Sequence, residues 1–586
     1  MEALPDEILH KVFAELEDQM PLDKWQLYGA RLDHRGSAAL GNLCLVCRQF
    51  RRIAQPLLYR TIVIEGRRRA KNIGTLLLRT FVENPQLAEQ VRAVSLTDCV
   101  KLSEQVEILG KDATKALVRS AMDKLDIPPA LKRMMKRHIA DSGFAALILA
   151  YMPHVQVVDC TMGDLTMILP WLLSASPDAG RPLGWLKRTI KGEVSDDEDY
   201  AKKPKEYDFS DEEDYVIDYE KEFSVEEYQQ KGNSKGTFTN YRFASLVEIR
   251  LRAVENPGSI ERAWTIEPLL LNSRLKILRT FGTAWYGDAF TNFVWPEHKN
   301  YNLEYFDLME SYIDAEGLKT ILTRCPKLKG ISIRLPDEER QTPIVYVDLG
   351  MDVDEEDCAL NFNDFGDVLR KHGQSLEEFD FNTFFFESYS TYYRNRGPGE
   401  GMIGSLRELR SLRHLGASKE ALIGDIEPLS RLSEVLPESI ETLHLYCSGI
   451  WQTQDWVQSE RELHNQDVYK LLLDCMPNLR EIRVERCKTG FDGTNNYVSY
   501  SDLDDAAAAT AADEDEDDVS CFSDNDPEGL YKPQFGPEEF MYSKEAEWPP
   551  ELHVAGWTVD IVEEGLYKIR GRPACDFRVV TLTRKT

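Results

Sequence analysis

The chain has 586 residues, 42% of them hydrophobic and 29% charged, the composition of a folded protein too long for one ordinary core. A formal net charge of -30 argues against nucleic acid as a main partner, because phosphates attract basic surfaces. No apolar run approaches the roughly 20 residues that span a bilayer, so no membrane partner is expected and the chain is assigned to cytoplasm, nucleus or both.

The first element is "LPDEILHKVFAEL", where Leu4, Ile8, Leu9, Val12, Phe13 and Leu16 paint one stripe on a helix. Pro5 suits a first helical turn, and Asp6 and Glu7 complement the positive end of the helix dipole. A second stripe, Leu43, Val46, Cys47, Phe50, Ile53 and Ala54, predicts one helix that ends at Pro56, followed by a short strand over Thr61–Ile64. Cys44 and Cys47 form a lone C-x-x-C with no second pair to complete a zinc site, so both read as core thiols. The eleven cysteines are scattered and read as buried and reduced. "GRRRAKN" (Gly66–Asn72) reads as a solvated basic face, with nuclear import as the rarer meaning.

In these residues the chain resembles the F-box. The family's Leu-Pro start, Ile/Leu pair, Phe and Leu appear as Leu4-Pro5, Ile8-Leu9, Phe13 and Leu16, and its Leu-Val-Cys-Arg-aromatic run as Leu45-Val46-Cys47-Arg48 with Phe50. The link from Glu17 to Gly41 is longer than the family's usual one, which leaves the middle helix undefined. "IAQPLLYRTIVI" is similar to the tail of F-box proteins of filamentous fungi. The resemblance implies a helical bundle that binds the Skp adaptor, and through it a cullin, with Leu4, Pro5, Ile8, Leu9, Val12, Phe13, Leu45, Val46, Cys47 and Phe50 at the contact.

Further along, a phrase apolar-x-x-apolar-x-apolar recurs. Clear copies are "SLVEIRL", "NLEYFDL", "KLKGISI", "SLEEFDF", "SIETLHL" and "NLREIRV"; "QVRAVSL", "HVQVVDC", "RLKILRT" and "SLRHL" are weaker. The copies start at 91, 155, 246, 275, 303, 328, 376, 412, 440 and 479, and the tightest steps fall in the range of leucine-rich repeats, about 20–29 residues. Several follow a helical stretch and a Pro, as in "ILTRCPKLKGI", the order of helix, turn and strand in one repeat. Stacked parallel strands place alternate residues on a concave wall, so Glu248, Arg250, Glu304, Asp307, Asp380, His444, Arg483 and Glu485 are candidate target-binding residues. An F-box followed by such units resembles the F-box/leucine-rich repeat proteins.

The excess charge is concentrated. Residues 193–227 hold 16 acidic and 4 basic residues, and 502–528 hold 12 acidic and none basic, so both stretches read as loops without a core. Ser195 and Ser210, each with an acid three residues on, look like casein-kinase-two sites. Catalytic motifs are scarce. Gly399, Gly401 and Gly404 spell G-x-G-x-x-G after a polar, Pro-interrupted stretch, and the ten histidines show no close pair.

The expected fold is α/β: a small N-terminal helical F-box, then a degenerate leucine-rich repeat solenoid with parallel strands on the concave side and helices outside. The expected partition is 1–60 F-box, 61–192 first irregular repeats, 193–235 acidic insert, 236–500 main repeats, 501–545 second acidic insert and 546–586 a C-terminal strand or cap. The implied function is the non-catalytic substrate receptor of an SCF-type cullin–RING ubiquitin ligase, with no cofactor or metal and a target protein the sequence does not name. The alternative is an interaction scaffold in which the N-terminal helices merely cap the repeats against Ile62, Ile64 and the first unit.

Overall fold

The computed structural model describes residues 4–17, 35–65, 73–97, 109–137, 139, 142–162, 168–175, 243–253, 261–262, 266–285, 301–309, 311–335, 361–382, 402–418, 421–422, 432–446, 471, 476–487, 556–564, 568–569, 572–573 and 577–585. Ser195, Ser210, Gly66–Asn72, Gly399, Gly401 and both acidic stretches lie outside them.

Three helices come first: α1 (Asp6–Ala14), α2 (Arg35–Val46) and α3 (Arg48–Leu58). The expected single helix through residues 43–54 is therefore two helices. Cys47 breaks it with extended backbone (φ -159°, ψ 168°), and its Sγ accepts a hydrogen bond from Phe50 N at 3.4 Å, capping α3. Cys47 is exposed rather than core, whereas Cys44 packs against the bundle and burial pushes its thiol pKa up. Pro56 does not end α3 but sits inside its last turn, where few intrahelical bonds remain to be lost.

α3 passes through Tyr59 and Arg60 into the first of thirteen strands of one sheet. These are β1 (Thr61–Glu65), β2 (Ala93–Thr97), β3 (Val157–Met162), β4 (Glu248–Ala253), β5 (Ile277–Phe281), β6 (Tyr305–Met309) and β7 (Gly330–Arg334). β8 (Glu378–Asn382), β9 (His414–Ser418), β10 (Thr442–Tyr446), β11 (Glu481–Cys487), β12 (Trp557–Glu564) and β13 (Phe577–Arg584) follow. β1 to β11 pair in chain order and all in parallel. The last two strands reverse direction: β13 lies antiparallel on β11, and β12 antiparallel on β13.

The recurring phrase positions these strands. β2 to β11 each begin two residues after one of its ten starts. The first apolar slot (Val91, Val155, Leu246, Leu275, Leu303 and their successors) is buried in every copy, as is the second. The third slot is buried too, although Thr280 fills it in β5 and Ala417 in β9, which is why those copies read as incomplete. Ahead of each strand one carbonyl accepts two successive N–H groups of the next unit. Lys276 O, for instance, takes Glu304 N at 2.8 Å and Tyr305 N at 2.9 Å. The same arrangement recurs from Arg60 O through Glu441 O, so the backbone donors of each turn are satisfied by the preceding one.

Helices cover the apolar face and share its core, among them α4 (Ile73–Glu83), α5 (Ala315–Arg324) and α6 (Phe362–His372). Asp314 caps α5 by accepting from Gly317 N at 2.6 Å, and Asn361 caps α6 by accepting from Asn363 N at 3.0 Å. The three N-terminal helices keep a separate core of Leu9, Phe13, Leu40, Ile53, Ala54 and Leu57. Ile62 and Ile64 belong to the sheet's core, not to this one.

Candidate functional site

Leu9 and Phe13 lie one turn apart on α1 and face α3, where the Phe13 ring meets Phe50 edge-on at 5.1 Å and 76°. Both are buried, so these two expected contact residues hold the bundle together instead of facing outward. Phe50 is half-buried behind them. Leu16 is half-buried against the same core, while three others of the α1 stripe face solvent: Leu4 is 58% exposed, Ile8 45% and Val12 56%. At the junction of α2 and α3, Leu45 is 86% exposed and Val46 64%, flanked by exposed Cys47. These five are all but one of the large apolar side chains standing exposed among the described residues; the sixth, Val247, lies beside the sheet. Soluble surfaces scatter such residues singly, so five in one three-helix bundle are an unusual concentration of exposed apolar side chains.

Polar groups fix the start of α1. Gln49 Nε2 donates to Leu4 O at 3.2 Å and to Asp6 Oδ1 at 2.9 Å, and Arg52 pairs with Asp6. At the other end Arg60 Nη1 pairs with Glu17 Oε2 at 3.1 Å.

The sheet's second face carries one residue per strand in register: Asp159, Arg250, Arg279, Asp307, Ser332, Asp380, Gly416, His444 and Arg483 from β3 to β11. Much of this charge is turned on itself. Glu248 Oε1 accepts from Arg250 Nε at 2.7 Å and from Arg279 Nε at 2.9 Å, and Arg279 Nη1 donates to Asp307 Oδ2 at 2.7 Å. Glu248, Arg250 and Asp307 are only 6%, 2% and 8% exposed. Burial pushes the Asp307 carboxyl up to about 6, against the pull of Arg279, and its Oδ1 is buried without a hydrogen-bond partner.

Asp380, His444 and Arg483 are half-buried. The Tyr446 hydroxyl donates to both carboxylate oxygens of Asp380 at 2.7 Å, and its ring lies 4.1 Å from that of His444. This link crosses β9, where Gly416 leaves room: a Cβ there would stand 3.0 Å from both Asp380 Cγ and Tyr446 Cε2. Glu485 lies in β11 opposite Val579.

Glu304 is not in this row. It precedes β6 at the edge where the strands begin, bound to Lys276 Nζ at 2.8 Å and Lys329 Nζ at 3.0 Å, which hold its carboxyl below the usual range. Glu441 repeats the pattern between Arg413 at 3.6 Å and Arg480 at 3.9 Å.

The sequence reading passed over Arg279, Tyr446, Gln49 and Arg52. A signal existed for Arg279, which falls four residues after its phrase start, as do Arg250, Asp307 and Asp380. Among the described residues no group of three or more His, Cys, Asp or Glu could hold a metal ion, and no helix is long and apolar enough to cross a membrane. No curated protein matches the chain. A family model described as F-box-like matches residues 1–65, and its span contains α1, α2, α3 and β1, so the three-helix module with the exposed stripe is an F-box-like domain.

Proposed function

We infer that the chain is the substrate-recognition subunit of an SCF-type cullin–RING ubiquitin ligase. The carrying observation is the exposed apolar group Leu4, Ile8, Val12, Leu45 and Val46 on a bundle that already has its own core. A partner's helices bury such a stripe, and an Skp-type adaptor is the occupant that an F-box-like domain implies. Pro5 and Cys47 flank the stripe and join the contact.

The parallel strands, each entered by the same three-slot phrase, support a degenerate leucine-rich repeat solenoid over residues 61–192 and 236–500, with 546–586 as its cap. The acidic inserts at 193–235 and 501–545, with Ser195 and Ser210 as phosphorylation sites, leave that array as loops. A target protein would sit on the sheet's polar face, with Asp380, His444 and Arg483 as the leading contacts and Glu485 beside them. The chain performs no chemistry itself. It works in cytoplasm or nucleus by holding target lysines near the ubiquitin-loaded enzyme, where tethering raises their effective concentration.

The capping alternative would cover the stripe, whereas its five residues are exposed and Ile62 and Ile64 pack in the sheet's core. The test is calorimetry of the purified chain with purified Skp adaptor. A 1:1 complex is expected, and changing Leu45 and Val46 together to Asp should weaken it about thirtyfold or more with the melting temperature unchanged. Undiminished binding by that variant would overturn the assignment.

A further inference from the structure

We propose that Gln49 and Arg52 are positioning residues for the docking surface: they clamp the first turn of α1 to α3 and so set the angle at which Leu4, Ile8 and Val12 meet a partner. The proposal rests on the docking role inferred above. α1 has nine residues, well short of the roughly 12–15 that an isolated helix needs to persist in water. Its only buried side chains, Leu9 and Phe13, are one turn apart, which defines a line of contact with the core but resists rolling about that line weakly. Leu4 lies beyond this line, more than a turn from Leu9.

Two side chains of α3 reach across to this first turn. Gln49 donates to the Leu4 carbonyl at 3.2 Å and to Asp6 Oδ1 at 2.9 Å, while Arg52 takes Asp6 Oδ2. Both carboxylate oxygens of Asp6 are thus engaged from one neighbouring helix, and the backbone of Leu4 itself is held. Gln49 and Arg52 follow directly on the Leu45–Val46 corner, one turn apart on α3. The clamp therefore ties the start of α1 to the helix that begins at that corner. Adjacent residues on a helix differ by about 100° in direction, so a roll of α1 would change the direction in which Ile8 and Val12 face. The Arg52–Asp6 pair is solvent-exposed and adds little to stability, which separates a role in orientation from one in folding.

The test uses the full-length chain. Changing Gln49→Ala together with Arg52→Ala should weaken Skp adaptor binding about tenfold, because the orientation the clamp supplies in the free chain must then be imposed on binding. The melting temperature should move by less than about 2 °C, as expected for an exposed pair. Asp6→Ala should weaken binding by a similar factor, and adding it to the double-alanine variant should give little further loss, because the three side chains act through one contact.

Amide exchange in the free protein supplies a second arm: α1 amides should exchange faster in the double-alanine variant and those of α3 should not. Unaltered adaptor affinity, a fully additive further loss from Asp6→Ala, or unaltered α1 exchange would each overturn the clamp. Failure of the unmodified chain to bind the adaptor would instead overturn the docking assignment, and the exchange arm would still decide the clamp.

Discussion

The N-terminal bundle and the polar face of the sheet are opposites in how they treat their binding-type residues. The bundle buries Phe13 and a handful of aliphatics, with Phe50 half-buried beside them, then leaves five apolar side chains in water. The sheet does the reverse, burying charged groups on the face where charge would be free to meet a partner: Glu248, Arg250 and Asp307 are buried and pair through half-buried Arg279 across β4, β5 and β6. Exposed apolar surface is a standing cost that a partner relieves, whereas a paired ion network has little left to offer one. Unrelieved apolar surface therefore concentrates at Leu45 and Val46 on the bundle.

Breaking the sheet's network should give the largest effect. Arg279→Met removes an ion pair from buried Asp307 and one of two from Glu248, which keeps Arg250, and should cost about 3–5 kcal/mol in denaturant unfolding. A loss under about 1 kcal/mol would mean these charges are solvated after all. The bundle is sharpened by two neighbours on α1. Phe13→Ala should remove about 3–5 kcal/mol from the helical module, and Val12→Ala, on the exposed side, less than about 0.5 kcal/mol. If both substitutions destabilise alike, the stripe is covered within the chain and the contrast fails.

Asp307 adds a pH signature. Its carboxyl is raised from 3.8 to about 6 on folding, so the folded chain holds a proton that the unfolded chain has released in that interval. Stability through this group is therefore fully present below about 4 and lost as pH rises through about 6. Asp307→Asn should flatten the slope of stability between those limits, as measured by thermal melts at stepped pH. The smallest effect is at the strand-entry edge. Glu304→Gln should cost only a few tenths of a kcal/mol and disappear in about 1 M salt, because its lysine partners are substantially exposed.

The repeating strands were legible because three apolar slots at fixed spacing leave a local trace, and each of the ten phrases precedes a strand by the same two residues. Thr280 and Ala417 blurred two copies, since a small or hydroxylated side chain fills the third slot without looking apolar. The break at Cys47 left no such trace: its apolar neighbours keep helical spacing on both sides, and cysteine is an uncommon cap. The division of α1 into buried and exposed positions depended on which helix would lie against it, which a stripe alone does not state. Arg279 meets Asp307 over 28 residues of chain and Tyr446 meets Asp380 over 66, so those pairings required the strand register.

The joint between α3 and β1 is two residues long, and the Arg60 carbonyl within it receives Arg92 N at 2.8 Å and Ala93 N at 3.0 Å, the junction used by every later rung. Tyr59 packs on the sheet's core from the same joint, with its ring 6.3 Å from Phe81. α3 thus behaves like a crank keyed to the first rung of a ladder. One residue added at its C-terminal end would turn the bundle by about 100° about the helix axis and advance it by about 1.5 Å. The direction in which the bundle's exposed apolar side chains face is thus keyed to the sheet through this one joint.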